Sequence, residues 1–306
     1  MRDIDVVGLG VSVMDIVQRV DHFPTGEGVQ RALDMTIQGG GPVATAIVTL
    51  ARLGASAAML DVVGTDWKGE RILHEFQNEG VHTDHIRQAT GCDSALAHVM
   101  VHKDDGARTI VYHAGTAPEL SVDQLPRALI ESAQFLHLNG RHWDACLQAS
   151  AWAREAGARV SFDGGAHRYR PEMRELLPLV DVCIVARDFA QRCTGETDVT
   201  KAVAKLLDEG PSLAVVTDGV KGSWVHTREG ETFHRPAYLL PDVVDTTGCG
   251  DSFHGAFLFG LLRGMGLEET TSFASAVAAL NSQHLGGRGG LPTLEQVTAF
   301  LSTAQE

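Results

Sequence analysis

The chain has 306 residues, 44% of them hydrophobic, and a formal net charge of −14 with no basic run. Its length suits one large buried core or two smaller ones, and no stretch offers the ~18 consecutive apolar residues of a membrane-spanning helix. The acidic balance argues against a nucleic-acid backbone or an anionic membrane as partner, yet leaves room for an anionic small molecule held by local basic residues.

Residues 1–5 run into a strand-like segment without a leader pattern, so a cytoplasmic location is expected. Short apolar strands are predicted at 6–9, 57–63, 135–138, 159–162, 182–185 and 213–217. Amphipathic helices are predicted between them at 42–53, 68–79, 144–156, 187–193 and 199–207, with Gly54, Gly80 and Gly157 at helix ends. This alternation implies a mostly parallel sheet covered on both faces, with ligands bound beyond the carboxyl ends of its strands. Two extended stretches, 12–38 and 94–113, break the rhythm; the second reads as a hairpin turning at Lys103-Asp104-Asp105-Gly106. Together they can pair into a small sheet over the binding face, a discontinuous lid on one domain spanning 1–306. The last third reads as helices at 251–262, 267–282 and 294–301. Before the final helix, Gly286-Gly287-Arg288-Gly289-Gly290 is either a plain surface turn or bare backbone for a nucleotide or cation. The five cysteines, Cys92, Cys146, Cys183, Cys193 and Cys249, are odd in number and widely spaced, so reduced thiols are expected.

Common phosphate and metal motifs fail. Gly8-Leu9-Gly10 follows a strand but has Val13 at the third glycine position, and the chain after it looks extended rather than helical. Gly64 and Gly69 have P-loop spacing but continue with Glu70-Arg71, lacking the Lys-Ser/Thr pair. The fourteen histidines show no metal-ligand spacing.

The segment Asp245-Thr246-Thr247-Gly248-Cys249-Gly250-Asp251 is more informative. An apolar strand over 239–244 is expected to end there in a sharp glycine turn. The amides of Gly248, Cys249, Gly250 and Asp251 then point out of a first helical turn, where unpaired N–H groups and the helix dipole favour an anion. Asp251 would repel a phosphate, so it is either the helix N-cap or a general base for a hydroxyl that attacks that phosphate. Cys249 contributes either its amide or, less simply, an activated thiolate.

Taken with the rest of the chain, these residues resemble the ribokinase-like (PfkB) carbohydrate kinases. The family's Asp-Thr-Thr-Gly-Ala-Gly-Asp signature matches 245–251 with Cys249 for Ala, and other matches follow in order: Asp15, Gly39-Gly40-Gly41-Pro42, Val63-Gly64-Thr65-Asp66 and Thr217 to Gly222. The resemblance implies a three-layer αβα sandwich with a β-sheet lid, and an ATP- and Mg²⁺-dependent phosphotransferase acting on a primary hydroxyl of a sugar or acidic sugar derivative. It implies Asp251 as catalytic base with Gly248, Cys249 and Gly250 as anion hole, and Asp15, Gly40 and Gly41 as sugar ligands. It further implies Thr217, Gly219, Gly222, Gly287 and Asn281 at the nucleotide, Asp245 and Thr247 at a monovalent cation such as K⁺, and a homodimer formed through the lid. Two departures stand out: Ala44 replaces an Asn after the glycines, and Ala186-Arg187-Asp188-Phe189 replaces Asn-x-x-Glu. The form of the glycine segments and of Phe253-His254-Gly255-Ala256 is similar to the sulfofructose kinase branch. Arg141 matches that branch's substrate arginine, while Val29 and Tyr112 stand where its lysine and asparagine would be. A nucleoside kinase and a non-catalytic sugar or nucleotide sensor are the alternative readings.

Overall fold

The structure, a computed structural model, describes residues 4–304; residues 1–3, part of the leader reading, lie outside the described residues, as do 305–306. The chain opens with β1 (Val6–Leu9), β2 (Val13–Val20), β3 (Asp34–Gly40), α1 (Pro42–Arg52), β4 (Ala57–Gly64), α2 (Trp67–Asn78), β5 (Ile86–Ala89), β6 (Ala95–His102) and β7 (Arg108–His113). It continues with α3 (Arg127–Ser132), β8 (Phe135–Leu138), α4 (Trp143–Glu155), β9 (Arg159–Gly164), α5 (Met173–Leu176), β10 (Val182–Ala186), α6 (Arg187–Thr194), α7 (Val199–Asp208) and β11 (Leu213–Thr217). A hairpin of β12 (Ser223–Thr227) and β13 (Thr232–Arg235) precedes three helices, α8 (Cys249–Leu262), α9 (Leu267–Asn281) and α10 (Leu294–Thr303). Among the described residues no helix is long and apolar enough to cross a membrane.

Nine strands form the central sheet in the order β13-β12-β11-β10-β9-β8-β1-β4-β5, parallel except for the antiparallel β12 and β13. Side chains alternate across a strand, so a sheet covered on both faces needs apolar residues at nearly every position. Phe135, Val182 and Ile184 pack with Ile47 of α1, Phe253 and Phe257 of α8 and Phe273 of α9. Leu136, Val160 and Phe162 turn the other way, towards Ala145 and Ala149 of α4, Phe189 of α6 and Val203 of α7. The result is the expected three-layer αβα arrangement.

The two extended stretches pair into a second sheet of order β3-β2-β6-β7, as expected. Its register places Gln38, Asp15, Ala97 and Tyr112 in one row on one face. Buried Val13, Val17, Ala95 and Val99 share that face, while Met35, Ile37 and Val111 on the opposite face are exposed.

Three expectations change. Residues 239–244 are not a strand: the chain leaves the sheet at Arg235, passes Pro236 and Pro241, and donates the amides of Val244 and Asp245 to Ser282 O at the end of α9. Among the described residues neither sheet takes it in. Asp251 is not the N-cap of α8; Gly248 holds that position and Asp251 is the third helical residue. The edge strand β5, the short helices α3 and α5, and the β12–β13 hairpin were not anticipated, since these are brief or lie at the sheet margin, where the apolar signal is weakest.

Candidate active site

The parallel strands β8, β9, β10 and β11 end on one edge of the sheet, and the candidate residues gather along it. Gly248 opens α8 in the left-handed region, at φ 72°. A Cβ there would run into the carbonyl of Gly287, so only glycine lets the two loops touch. Among the described residues the amides of Gly248, Gly250 and Asp251 have no acceptor, and the Cys249 amide reaches Thr246 O at 3.4 Å. A Cβ on Gly250 would meet only open space. The sequence therefore builds a concave set of N–H groups at a helix start, a cradle for an anion.

Asp251 is half-buried beside this cradle. Burial pushes its carboxyl above the ordinary range and the Asp163 charge pushes it further, while Arg168, His254 and Arg108 pull it back. Arg108, at the start of β7, also donates to Thr246 Oγ1 at 2.9 Å and so links the second sheet to the motif. Burial holds the Cys249 thiol up at about 12, which leaves it neutral and favours its amide over its sulfur as the useful group.

Asp245 is fully buried and binds the motif to the glycine loop: Oδ1 accepts from Thr247 N at 2.7 Å and Oδ2 from Gly286 N at 2.8 Å. Thr247 Oγ1 is buried without a hydrogen-bond partner among the described residues, the one open polar atom where a monovalent cation was expected. Asn281, expected at the nucleotide, is fully buried, donating to Gly287 O at 2.9 Å and accepting from Gly290 N at 3.1 Å. It holds the loop that lies against the cradle.

Across the cleft, Asp15 is 7% exposed and lies against Gly40, where any Cβ would collide with its carboxylate. Gly41 is the N-cap of α1 at φ 93°, with Pro42 next to it. Burial raises the Asp15 carboxyl to about 7; Arg288 lowers it and Asp251 raises it, so the two acids share one electrostatic environment. Arg288 was not singled out by sequence, although a lone charge inside a glycine loop was a usable signal. Its buried guanidinium donates to Gly40 O at 3.1 Å, Thr45 Oγ1 at 3.2 Å and Glu75 Oε1 at 3.1 Å, clamping both glycine segments together.

Arg141 follows β8, exposed and without a carboxylate partner among the described residues, and its charge reaches Tyr112. Arg168, in the loop after β9, acts on Tyr112, Asp163 and Asp251 alike. Nothing in the sequence marked it. Val29 is wholly exposed in the irregular segment between β2 and β3.

Thr217 ends β11 opposite Ala186, and Gly219 and Gly222 both take positive φ in the turn after it. Asp218, between Thr217 and Gly219, pairs with Arg187 at 2.8 Å. Among the described residues no bond joins this turn to residues 245–251; it lines the next stretch of the same edge. At the altered Asn-x-x-Glu positions stand Ala186 and Phe189, the latter fully buried with its ring 5.6 Å from that of Phe162. Asp188 accepts from His167 N and pairs with Arg192. This segment offers a magnesium ion no free ligand, and among the described residues no group of three or more His, Cys, Asp or Glu is placed to hold a metal.

Comparison with known proteins gives this arrangement its context. A family model described as pfkB family carbohydrate kinase matches residues 1–294. The ATP-dependent ribose-1-phosphate kinase of Halopiger xanaduensis is 28% identical over 298 residues, covering 97% of this chain and 98% of that protein. The aminoimidazole riboside kinase of Salmonella typhimurium is 32% identical over 285 residues, covering 86% and 88%. The ribokinase of Arabidopsis thaliana, solved with ribose and ATP, superposes with a TM-score of 0.84 at 26% identity, covering 97% of this chain and 98% of that one.

Proposed function

Because the chain belongs to the pfkB family of carbohydrate kinases, we propose that it transfers the γ-phosphoryl group of ATP to a primary hydroxyl of a sugar derivative, with Asp251 as general base. The observation that carries this is a carboxylate standing in the same helical turn as three acceptor-free amides, those of Gly248, Gly250 and Asp251. The amides hold the charge that spreads over the transferred phosphoryl oxygens, and being preorganised they need no rearrangement. Asp251 takes the proton of the acceptor hydroxyl as its oxygen bonds to phosphorus, and the bond to the bridging oxygen breaks to release ADP. General-base action of this kind supplies roughly 10²–10⁴-fold. Mg²⁺ would ride on the ATP phosphates and neutralise their charge. A monovalent cation beside Asp245 and Thr247 belongs to the same proposal, as do Thr217, Gly219 and Gly222 at the nucleotide.

The acceptor side favours a substrate with an acidic group. Asp15 and the glycines at 40 and 41 suit hydroxyls, and Arg141 and Arg168 add two exposed guanidiniums without carboxylate ion-pair partners among the described residues. The second sheet, on this reading, is a lid whose outer face, with Met35, Ile37 and Val111 exposed, pairs with a second copy of the chain. A monomer by light scattering at working concentration would count against that pairing.

A coupled ADP-release screen tests the kinase reading with three acceptor groups: neutral sugars, sugars bearing phosphate, sulfonate or carboxylate, and nucleosides. Turnover highest with the anionic group is expected. Preference for nucleosides, which the similarity to a riboside kinase makes the second reading, would reassign the acceptor. Binding of ATP and sugar with no ADP formed would make the chain a sensor.

A further inference from the structure

One face of the central sheet is polar where its surroundings are core. On the side facing α8, β8 and β9 present His137, Ser161 and Asp163, whereas Phe135, Val182 and Ile184 on that side are buried apolar residues. His137 and Ser161 are register partners, with His137 Nδ1 3.1 Å from Ser161 Oγ. His254, one turn beyond Asp251 on α8, comes down onto this strip. Its Nε2 lies 3.3 Å from Asp163 Oδ1, and its ring centroid lies 5.5 Å from that of His137. Asp163 and His254 are only 3% and 5% exposed. Asp163 Oδ2, His254 Nδ1 and His137 Nε2 have no hydrogen-bond partner among the described residues. Such a cluster is unfavourable for stability, and the apolar neighbours show that packing alone did not require it.

We infer that Asp163 and His254 are positioning residues for Asp251: Asp163 fixes the imidazole, and the imidazole holds the first turn of α8 against β9 while offsetting the Asp163 charge that faces Asp251. The inference rests on the reading of Asp251 as the base. The charged groups around Asp251 are Asp163 on β9, Arg168 in the loop after it, His254 on its own helix, Arg108 on β7 and, on β2 of the second sheet, Asp15. Arg168 and Arg108 are exposed and screened by solvent; His254 is the buried member of the set, with its Nε2 against the Asp163 carboxylate. Burial alone would raise the Asp163 carboxyl, but His254 overrides it and holds Asp163 ionised. Burial pushes His137 down to about 3, so the second ring stays neutral and does not compete. Two carboxylates in one enclosed space cannot both ionise freely. Here Asp163 is engaged by His254, and Asp251 is left facing the cleft.

The test is the pH dependence of turnover in His254→Asn, Asp163→Asn and the double variant. In His254→Asn the acid limb of kcat moves up by roughly one pH unit or more, because Asp163 then acts on Asp251 uncompensated. KM for ATP and acceptor holds. In the double variant the limb returns to the wild-type position or below it, a rescue that a merely structural role would not give. Asp163→Asn alone moves the limb down, which keeps the inference testable if His254→Asn does not fold. The same titration is read without turnover from the side-chain carboxyl carbon resonance of Asp251, identified by its disappearance in Asp251→Asn. A limb and resonance unmoved in His254→Asn, or a double variant worse than either single one, overturns the inference. Absence of ADP release by the wild-type protein would instead remove the kinase reading, while the carboxyl resonance still decides the pair.

Discussion

The start of α8 and the inner face of the second sheet meet across one cleft, and they are built from opposite materials. The helix start offers backbone: amides at Gly248, Gly250 and Asp251, shaped by glycines and closed by Gly287. The sheet face and the nearby loops offer side chains: Asp15 and Tyr112 in one row, with Arg141 and Arg168 alongside. A backbone cradle serves any phosphoryl group and changes little when side chains change. A side-chain surface can be rewritten one residue at a time. On the proposed reading, chemistry sits on the first region and substrate choice on the second.

That division can be broken by experiment. The largest effect is expected from Asp251→Asn, which should lower kcat by roughly 10²–10⁴-fold with little change in either KM, measured by coupled ADP release. Retention of near wild-type turnover would remove the base from the helix start. Next comes Arg141→Gln, expected to raise KM for an anionic acceptor by roughly 10–100-fold, the equivalent of one charge-assisted hydrogen bond. Its KM for ATP should not move. An equal loss with neutral and anionic acceptors would show that Arg141 serves structure, not choice.

Asp15 sharpens the comparison through pH. Its carboxyl is raised to about 7, so between about pH 4 and 7 the folded protein binds a proton that the unfolded chain does not. That contribution to stability is present below the unfolded value and lost as pH rises through 7. Asp15→Asn should therefore melt higher relative to wild type at pH 8 than at pH 4. Ionised Asp15 is also the better acceptor for sugar hydroxyls, so KM for the acceptor should fall about tenfold from pH 6 to pH 8, as the ionised fraction rises. A flat profile would place Asp15 outside the acceptor site. The smallest effect is on stability: Gly248→Ala forces a left-handed alanine against Gly287 and should cost about 1–3 kcal/mol in urea unfolding, with KM for ATP raised.

Much of this molecule was legible before folding was considered. Strands 6–9, 135–138 and 213–217 match the observed ones to the residue, because a sheet buried on both faces demands unbroken apolar runs flanked by glycine and polar turns. The hairpin β12–β13 was missed although Ser223 to Thr227 alternate between buried and partly exposed, since an antiparallel edge interrupts the βα rhythm that guided the reading. The apolar 239–244 misled in the opposite direction: composition suggested a strand, but among the described residues it pairs with neither sheet. Among site residues, the 245–251 motif was readable because local glycine geometry makes the cradle. Arg108 and Arg168 were invisible, because an arginine gains its meaning only from what the fold sets beside it.

Sequence by itself determined the alternation of elements, the glycine turn before α8 and the presence of an acid within an amide cradle, all of which depend on residues close together in the chain. Tertiary structure alone decided that Asp245 ties that turn to Gly286, that Arg288 clamps Gly40, and that Asp163 meets His254 beneath Asp251. The reason is physical: propensity and backbone geometry act over a few residues, whereas burial, charge pairing and the shift of a carboxyl depend on groups that only folding brings within a few ångströms.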